Sequence, residues 1–323
     1  MALAWEPLPW EFMVASLLAM LAGIILTSKR LASNEARAKS AGPKDSKTPT
    51  GRFPEGHLLR AAGWLGFGVF WVSWAPHYGA IDDPVNVIAT IGGVPVFAFL
   101  AFHEYRSYKW KDEFAPLRFA SKATVMSGLL FYLAYGVRPI GEALIATVGH
   151  QTVFLLNAIQ PGYSSGRVDL YEGNTELSMP VHWASLSYIH IVIACTAIQA
   201  LFVSVAFIAN VEAPWKRKAI TLGIVAVPIY LLNLLRNVLV VYLVYNSVTD
   251  FEFAHNVIGK VLISLLGLFT LMFLAFWLLP QLYEVINGMF DLPWRNKPGH
   301  DFKANIGRLV NRLVPPRASG KRG

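Results

Sequence analysis

The sequence predicts an all-α, polytopic helical membrane protein of about seven transmembrane helices, with the N-terminus outside and the C-terminus cytoplasmic. Three observations predict it. The 323 residues are 54% apolar and only 15% charged, against roughly 25% charged in soluble domains. Apolar runs near 20 residues recur along the chain, long enough to cross a bilayer as helices. The basic residues sort to one side of those runs, as the positive-inside rule requires.

The runs are 10–27, 61–75, 85–103, 123–145, 188–210, 220–245 and 257–279. Residues before Trp10 carry no Lys or Arg, so 10–27 lacks the basic flank of a signal peptide and is expected as a retained first helix. Residues 28–60 are polar and rich in Ala, Ser, Lys and Pro, the composition of a flexible cytoplasmic linker. Residues 61–280 form the transmembrane core, whose long outer connection is 149–187; connections of that length often carry function. Residues 281–323 are a basic cytoplasmic tail. In it Phe302, Ile306, Leu309 and Val310 recur at helical spacing among Lys303, Arg308 and Arg312, as in a helix lying on the inner leaflet.

Orientation follows from the Lys and Arg residues. Nearly all fall in the connections after the first, third and fifth runs and in the tail; Arg138, Arg167, Arg236 and Lys260 are the exceptions. The net charge of +8 is thus explained by topology, and no nucleic-acid partner is implied. No internal repeat is visible, so an inverted-repeat transporter has no direct support.

The chain holds one cysteine, Cys195, inside the fifth run. With no partner in the chain it forms no intramolecular disulfide. Taken alone, a lone apolar-segment cysteine is more often a small buried hydrophobe than a nucleophile. Arg236, amid Leu234, Leu235, Val238 and Leu239 in the sixth run, is harder to dismiss. A charge there costs on the order of 3 kcal/mol on insertion scales, so it is paired or lines a polar cavity. Counted at 1.5 Å per residue, Cys195 lies roughly 10 Å and Arg236 roughly 13 Å from the outer end of its span, and His255 sits at the outer mouth of the seventh. The three converge on the outer half of the bilayer. A guanidinium near a thiol favours the thiolate and can stabilise an oxyanion; a histidine can move the proton.

Other polar residues are candidates for substrate contact. Gln199 shares a helical face with Cys195, beside Thr196. Asn233 and Asn237 extend a polar strip around Arg236. Arg138 is spaced i, i+4 from Glu142, which fits an intrahelical ion pair first and a wall of the same cavity second. His190 precedes Cys195 by five residues, about 140° around a helix, and so faces elsewhere. Haem ligation is disfavoured, since His103 and His190 fall near opposite membrane faces; no metal or cofactor is expected.

Ala194-Cys195-Thr196-Ala197-Ile198-Gln199 resembles the cysteine motif of the exosortase/archaeosortase transpeptidases. Asn233-Leu234-Leu235-Arg236-Asn237 resembles their arginine motif one helix later. His255, opening the next helix, falls where the family carries a third residue, His or Arg. The Cys-Thr-x-x-Gln form is most like the archaeosortase branch. The resemblance is close over 188–279 and loose elsewhere; the linker is longer than the family leads one to expect. It implies catalytic roles for Cys195, Arg236 and His255. It implies substrates that are secreted surface proteins ending in a short motif (Pro-Gly-Phe in the archaeosortase branch), an apolar helix and a basic cluster. The thiolate would cut near the motif through a thioester, and an amine-bearing membrane lipid would resolve it. The implied place is the cell membrane, with the site on the extracytoplasmic side.

Two other readings compete. A transporter or channel would carry charges through the full depth of the bundle, whereas the sequence suggests them only in the outer half. A non-enzymatic assembly protein would tolerate loss of Cys195.

Overall fold

The computed structural model describes residues 7–40, 55–80, 83–170, 177–183 and 189–294, with side chains described from all of these except 29–40 and 294. The inner-leaflet helix expected within 301–312 lies outside the described residues. The order is α1 (Trp10–Ser40), α2 (Glu55–Ser73), α3 (Ala75–Ala80), α4 (Pro84–Trp110), α5 (Ala115–Gly136) and α6 (Arg138–Ile159). Four short strands follow: β1 (Tyr163–Ser165), β2 (Asp169–Leu170), β3 (Leu177–Trp183) and β4 (Ile189–Val192). A 3₁₀ turn (Ile193–Thr196) leads to α7 (Ile198–Asn210), α8 (Trp215–Tyr245), a π-helix (Phe253–Leu265) continuing into α9 (Leu266–Leu278), and α10 (Pro280–Met289).

The chain is a predominantly helical, multi-pass membrane protein. Among the described residues five helices are long and apolar enough to cross a bilayer: Trp10–Ser28, Glu55–Ala80, Pro84–Trp110, Trp215–Tyr245 and Phe253–Leu278. A sixth results if α5 and α6, bent by 86° at their junction, count as one span. Two of the seven expected runs are therefore corrected. The run 123–145 straddles the α5–α6 break, where Gly136 ends one helix and Pro139 sits in the first turn of the next, a position that suits proline only at a helix start. The run 188–210 is a strand, a turn and the 13-residue α7. Its first half is dense in β-branched Ile189, Ile191, Val192 and Ile193, which favour a pleated strand over a helix. The segment expected as a flexible linker is helical as far as Ser40 and again from Glu55.

Close helix packing builds the N-terminal half. A Cβ on Gly23 would collide with the Gly56 carbonyl, and one on Gly63 with Met20; such small residues let membrane helices approach closely. Helix α4 begins where Asp83 Oδ1 accepts from the Asn86 backbone N–H at 3.2 Å, with Pro84 in the first turn, a regular N-cap.

The second half is arranged around the sheet. β3 is central, with β1 and β2 on one side and β4 on the other, all antiparallel. The long connection 149–187 is thus α6 followed by most of this sheet. Met179, Val181, Ile191 and Ile193 lie in one core with Ile145 and Val148 of α6 and Val238 and Val241 of α8. The Tyr245 hydroxyl donates to Val181 O at 2.6 Å and accepts from Ile189 N–H at 3.1 Å, pinning the hairpin to the end of α8. Helix α7 packs on α8, and Lys218 Nζ donates to Ala209 O at 2.8 Å, satisfying a carbonyl at the end of α7.

A buried ionic cluster lies at the other end of the bundle. Arg60 Nη2 is 3.0 Å from Glu104 Oε2 and 3.0 Å from Glu113 Oε1, and His57 Nδ1 is 2.8 Å from Glu104 Oε2. Ser121 Oγ, which accepts from Trp64 Nε1–H at 3.2 Å, lies 3.4 Å from Glu104 Oε1. This corrects the expectation that charges enter the bundle only in its outer half. Helix α2 starts at Glu55 and α4 continues to Trp110, beyond the apolar runs, and the extra turns carry Arg60 and Glu104 inside.

Candidate active site

Cys195 sits in the tight turn between β4 and α7 and is 8% exposed. Two features fix that turn. Thr196 Oγ1 donates to Ile193 O at 2.6 Å. Ala197, which joins the turn to α7, has φ +63°, a left-handed conformation that non-glycine residues adopt only under constraint. A strand, a tight turn and a helix together hold a side chain out from the backbone, a geometry that nucleophile-bearing turns also use.

The constraint comes from α8. Asn233 and Asn237, one helical turn apart, both donate their Nδ2–H groups to the backbone carbonyl of Cys195, at 2.7 and 2.9 Å. These were expected to contact substrate; their amides are instead used to anchor the cysteine. The same bonds set its depth. The estimate of roughly 10 Å assumed helical rise through 188–195 and does not apply to a strand. Asn233 and Asn237 place Cys195 level with a point about 12–18 Å from the Tyr245 end of α8.

Arg236 lies between the two asparagines in sequence and is 6% exposed. Its Nη2 is 3.5 Å from His255 Nδ1, and its Nε has no hydrogen-bond partner among the described residues. No carboxylate there pairs with it. The π-helix supplies the opposing wall. Its register is marked by Ser264 Oγ donating to Gly259 O, five residues back, at 2.9 Å, and π turns recur at functional positions. A Cβ on Gly259 would lie 3.0 Å from Arg236 Nε and 3.2 Å from Val240 Cγ2, so glycine gives the guanidinium its space. His255 is stacked on Phe251, ring centroids 5.1 Å apart at 13°.

Cys195, Arg236, Asn237 and His255 line one cavity of about 200 Å³, with His190, Phe251 and aliphatic residues of β4 and α8. The expected triad is therefore brought together. The expected substrate contacts mostly are not. Gln199 is exposed on α7 and is not among the lining residues, and Thr196 is turned to its own backbone. Arg138 pairs with Glu142 at 2.6 Å and borders a separate cavity of about 150 Å³ at the α5–α6 break, with Tyr135, Gly141, Leu170 and Ile193.

His190 is the residue the sequence reading placed elsewhere. The 140° argument presumed a helix, whereas β4 delivers His190 to the Cys195 cavity. The alternation Ile189-His190-Ile191, with a second strand-like segment 177–183 just before it, is the signal that could have found it.

A family model described as transmembrane exosortase matches residues 10–278. Archaeosortase A of Haloferax volcanii is 28% identical over 193 residues, covering 56% of this chain and 61% of that protein. The chain thus spans about three fifths of the length of that relative. No solved structure matches.

Proposed function

The chain belongs to the transmembrane exosortase family, and on that premise we propose that it is a membrane-embedded cysteine transpeptidase. It cleaves C-terminal sorting signals of secreted surface proteins. The observation that carries this reading is the cavity that joins the sole thiol to an arginine with no acidic partner among the described residues. Cys195 is the nucleophile. Its sulfur attacks the scissile carbonyl, forming a tetrahedral adduct and then a thioester as the carbon–nitrogen bond breaks. Arg236 is the electrophilic partner. A cation with no carboxylate among the described residues to neutralise it favours the thiolate and the oxyanion alike. Asn233 and Asn237 are positioning residues that hold the Cys195 backbone, and His255 and Gly259 set the place of the guanidinium.

The signal proposed is the tripartite one: Pro-Gly-Phe, an apolar helix and a basic cluster, with an amine-bearing membrane lipid resolving the thioester. A substrate tethered by its own helix reaches the cavity laterally in the membrane, at an effective concentration no soluble peptide attains. The basic cluster stays in the cytoplasm, and the site opens to the extracytoplasmic half, by the same charge rule that orients this chain.

The test is a tagged secreted protein carrying that signal, co-expressed with this chain. A size shift and retention in the membrane without the apolar helix are expected, both lost when Pro-Gly-Phe is changed to Ala-Ala-Ala. Equal processing of the altered signal would remove the specificity assigned here.

A further inference from the structure

We infer that His190, rather than His255, handles the proton of the Cys195 thiol. This rests on the thiol chemistry proposed above and assigns its acid–base partner.

Three observations carry it. His190 lines the cavity that contains Cys195, brought there by the strand that runs directly into the cysteine turn. Its Nδ1 is 2.8 Å from Oγ of Ser178, which is 2% exposed and sits on the neighbouring strand β3. A base held by a third group is the arrangement that nucleophilic catalysis uses repeatedly. His255, by contrast, has its ring face against Phe251 and its Nδ1 toward Arg236, so its geometry serves the guanidinium.

In the step assigned here, Nδ1–H donates to Ser178 Oγ and the Nε2 lone pair accepts the thiol proton as sulfur bonds to the carbonyl carbon. When the adduct collapses, Nε2–H gives that proton to the departing amine nitrogen, whose bond to carbon breaks. Among the described residues, the charged and titratable groups around His190 include Tyr245 of α8, whose hydroxyl accepts from the Ile189 N–H, and four others. The four are Cys195 in the turn, Arg236 on α8, His255 on the π-helix, and His182 two residues from the Pro180 that pairs with His190 on β3. On α6, which packs against β4, Arg138 and Glu142 pair with each other and His150 is exposed.

Because Cys195 is the sole thiol, its alkylation by iodoacetamide can be followed in the full detergent-solubilised chain across pH, without substrate. His190→Gln should slow alkylation near neutral pH at least ~10-fold and move the profile toward that of an unassisted thiol, about 8.5. Ser178→Ala should move it the same way by less, and His255→Gln, which acts only through the guanidinium, should move it less than His190→Gln does. If His190→Gln does not accumulate, His190→Asn and Ser178→Ala carry the test. A wild-type profile in the His190 and Ser178 variants, or a shift in His255→Gln as large as that in His190→Gln, would overturn the assignment. Since no sorting signal enters this measurement, it stands or falls apart from the substrate proposed above.

Discussion

Among the described residues two arginines are buried in this bundle, near opposite ends of α4, and their surroundings differ in kind. Arg60 is fully buried and shares one nitrogen between the carboxylates of Glu104 and Glu113, with His57 alongside. Arg236 is also buried but has no carboxylate partner among the described residues, and it borders a cavity with a thiol in it. The ends are fixed by α4. Glu104 lies near its C-terminus, while Asp83 at its N-terminus pairs with Lys260, one π-turn beyond His255. That separates the two centres by about 30 Å along the helix. A neutralised cation locks helices together, and a cation left unpaired is available for charge that appears only during a reaction. The comparison also bears on the transporter reading, because the charges around Arg60 are closed on one another.

Removing one partner of the closed cluster should have the largest effect on folding. Arg60→Ala leaves the buried Glu104 and the partly buried Glu113 carboxylates without their cation and is expected to cost about 3–5 kcal/mol of stability. Thermal unfolding in detergent, or the amount of chain accumulating in the membrane, reads this directly. Arg236→Ala should divide the other way, with stability near wild type and processing reduced about 10²–10³-fold, the range seen when an oxyanion donor is removed. Arg236→Lys should be nearly as inactive, because lysine lacks the planar fork and deprotonates readily when buried. Full activity of the lysine variant would reduce Arg236 to a point charge. If instead Arg236→Ala unfolds the chain as Arg60→Ala does, the contrast between the two centres collapses.

Gly259→Ala tests the fit around Arg236 without touching a polar group. The added methyl meets Nε at 3.0 Å, and displacing the guanidinium by a fraction of an ångström should lower processing ~10-fold. The smallest effect is expected at the Asp83–Lys260 tie, 2.5 Å long. Burial by itself would raise the Asp83 pKa, but hydrogen bonds from Lys260 and Asn86 and the Lys260 charge hold the carboxyl below its usual range. Its folded form being the stronger acid, the tie contributes stability above the ordinary carboxylate range and loses it as pH falls through that range. Asp83→Asn should cost no more than about 1 kcal/mol, and the cost should vanish in an acid-range unfolding series.

Much of this was legible in the residues. Run lengths and loop charges gave the membrane class, and Cys195, Arg236 and His255 were singled out before any contact was known. What was missed traces to one physical substitution, a strand where a helix was assumed. Twenty-three mostly apolar residues satisfy a length rule whether or not they are helical. The β-branched run before Cys195 decided the matter, and with it the position of His190. Asn233 and Asn237 were chosen for the right neighbourhood and the wrong partner, since an amide's acceptor is set by tertiary contact that spacing does not encode. Arg60 and Glu104 were hidden because helices extend past their apolar runs.

The central claim is that the Cys195 thiol performs the chemistry, and its most direct measurement is the size of a tagged sorting-signal substrate in cells expressing Cys195→Ala or Cys195→Ser. Both variants should accumulate in the membrane at wild-type level and leave the substrate unprocessed, because serine keeps the shape but is a far weaker nucleophile here. Processing by Cys195→Ala at the wild-type rate would contradict the account.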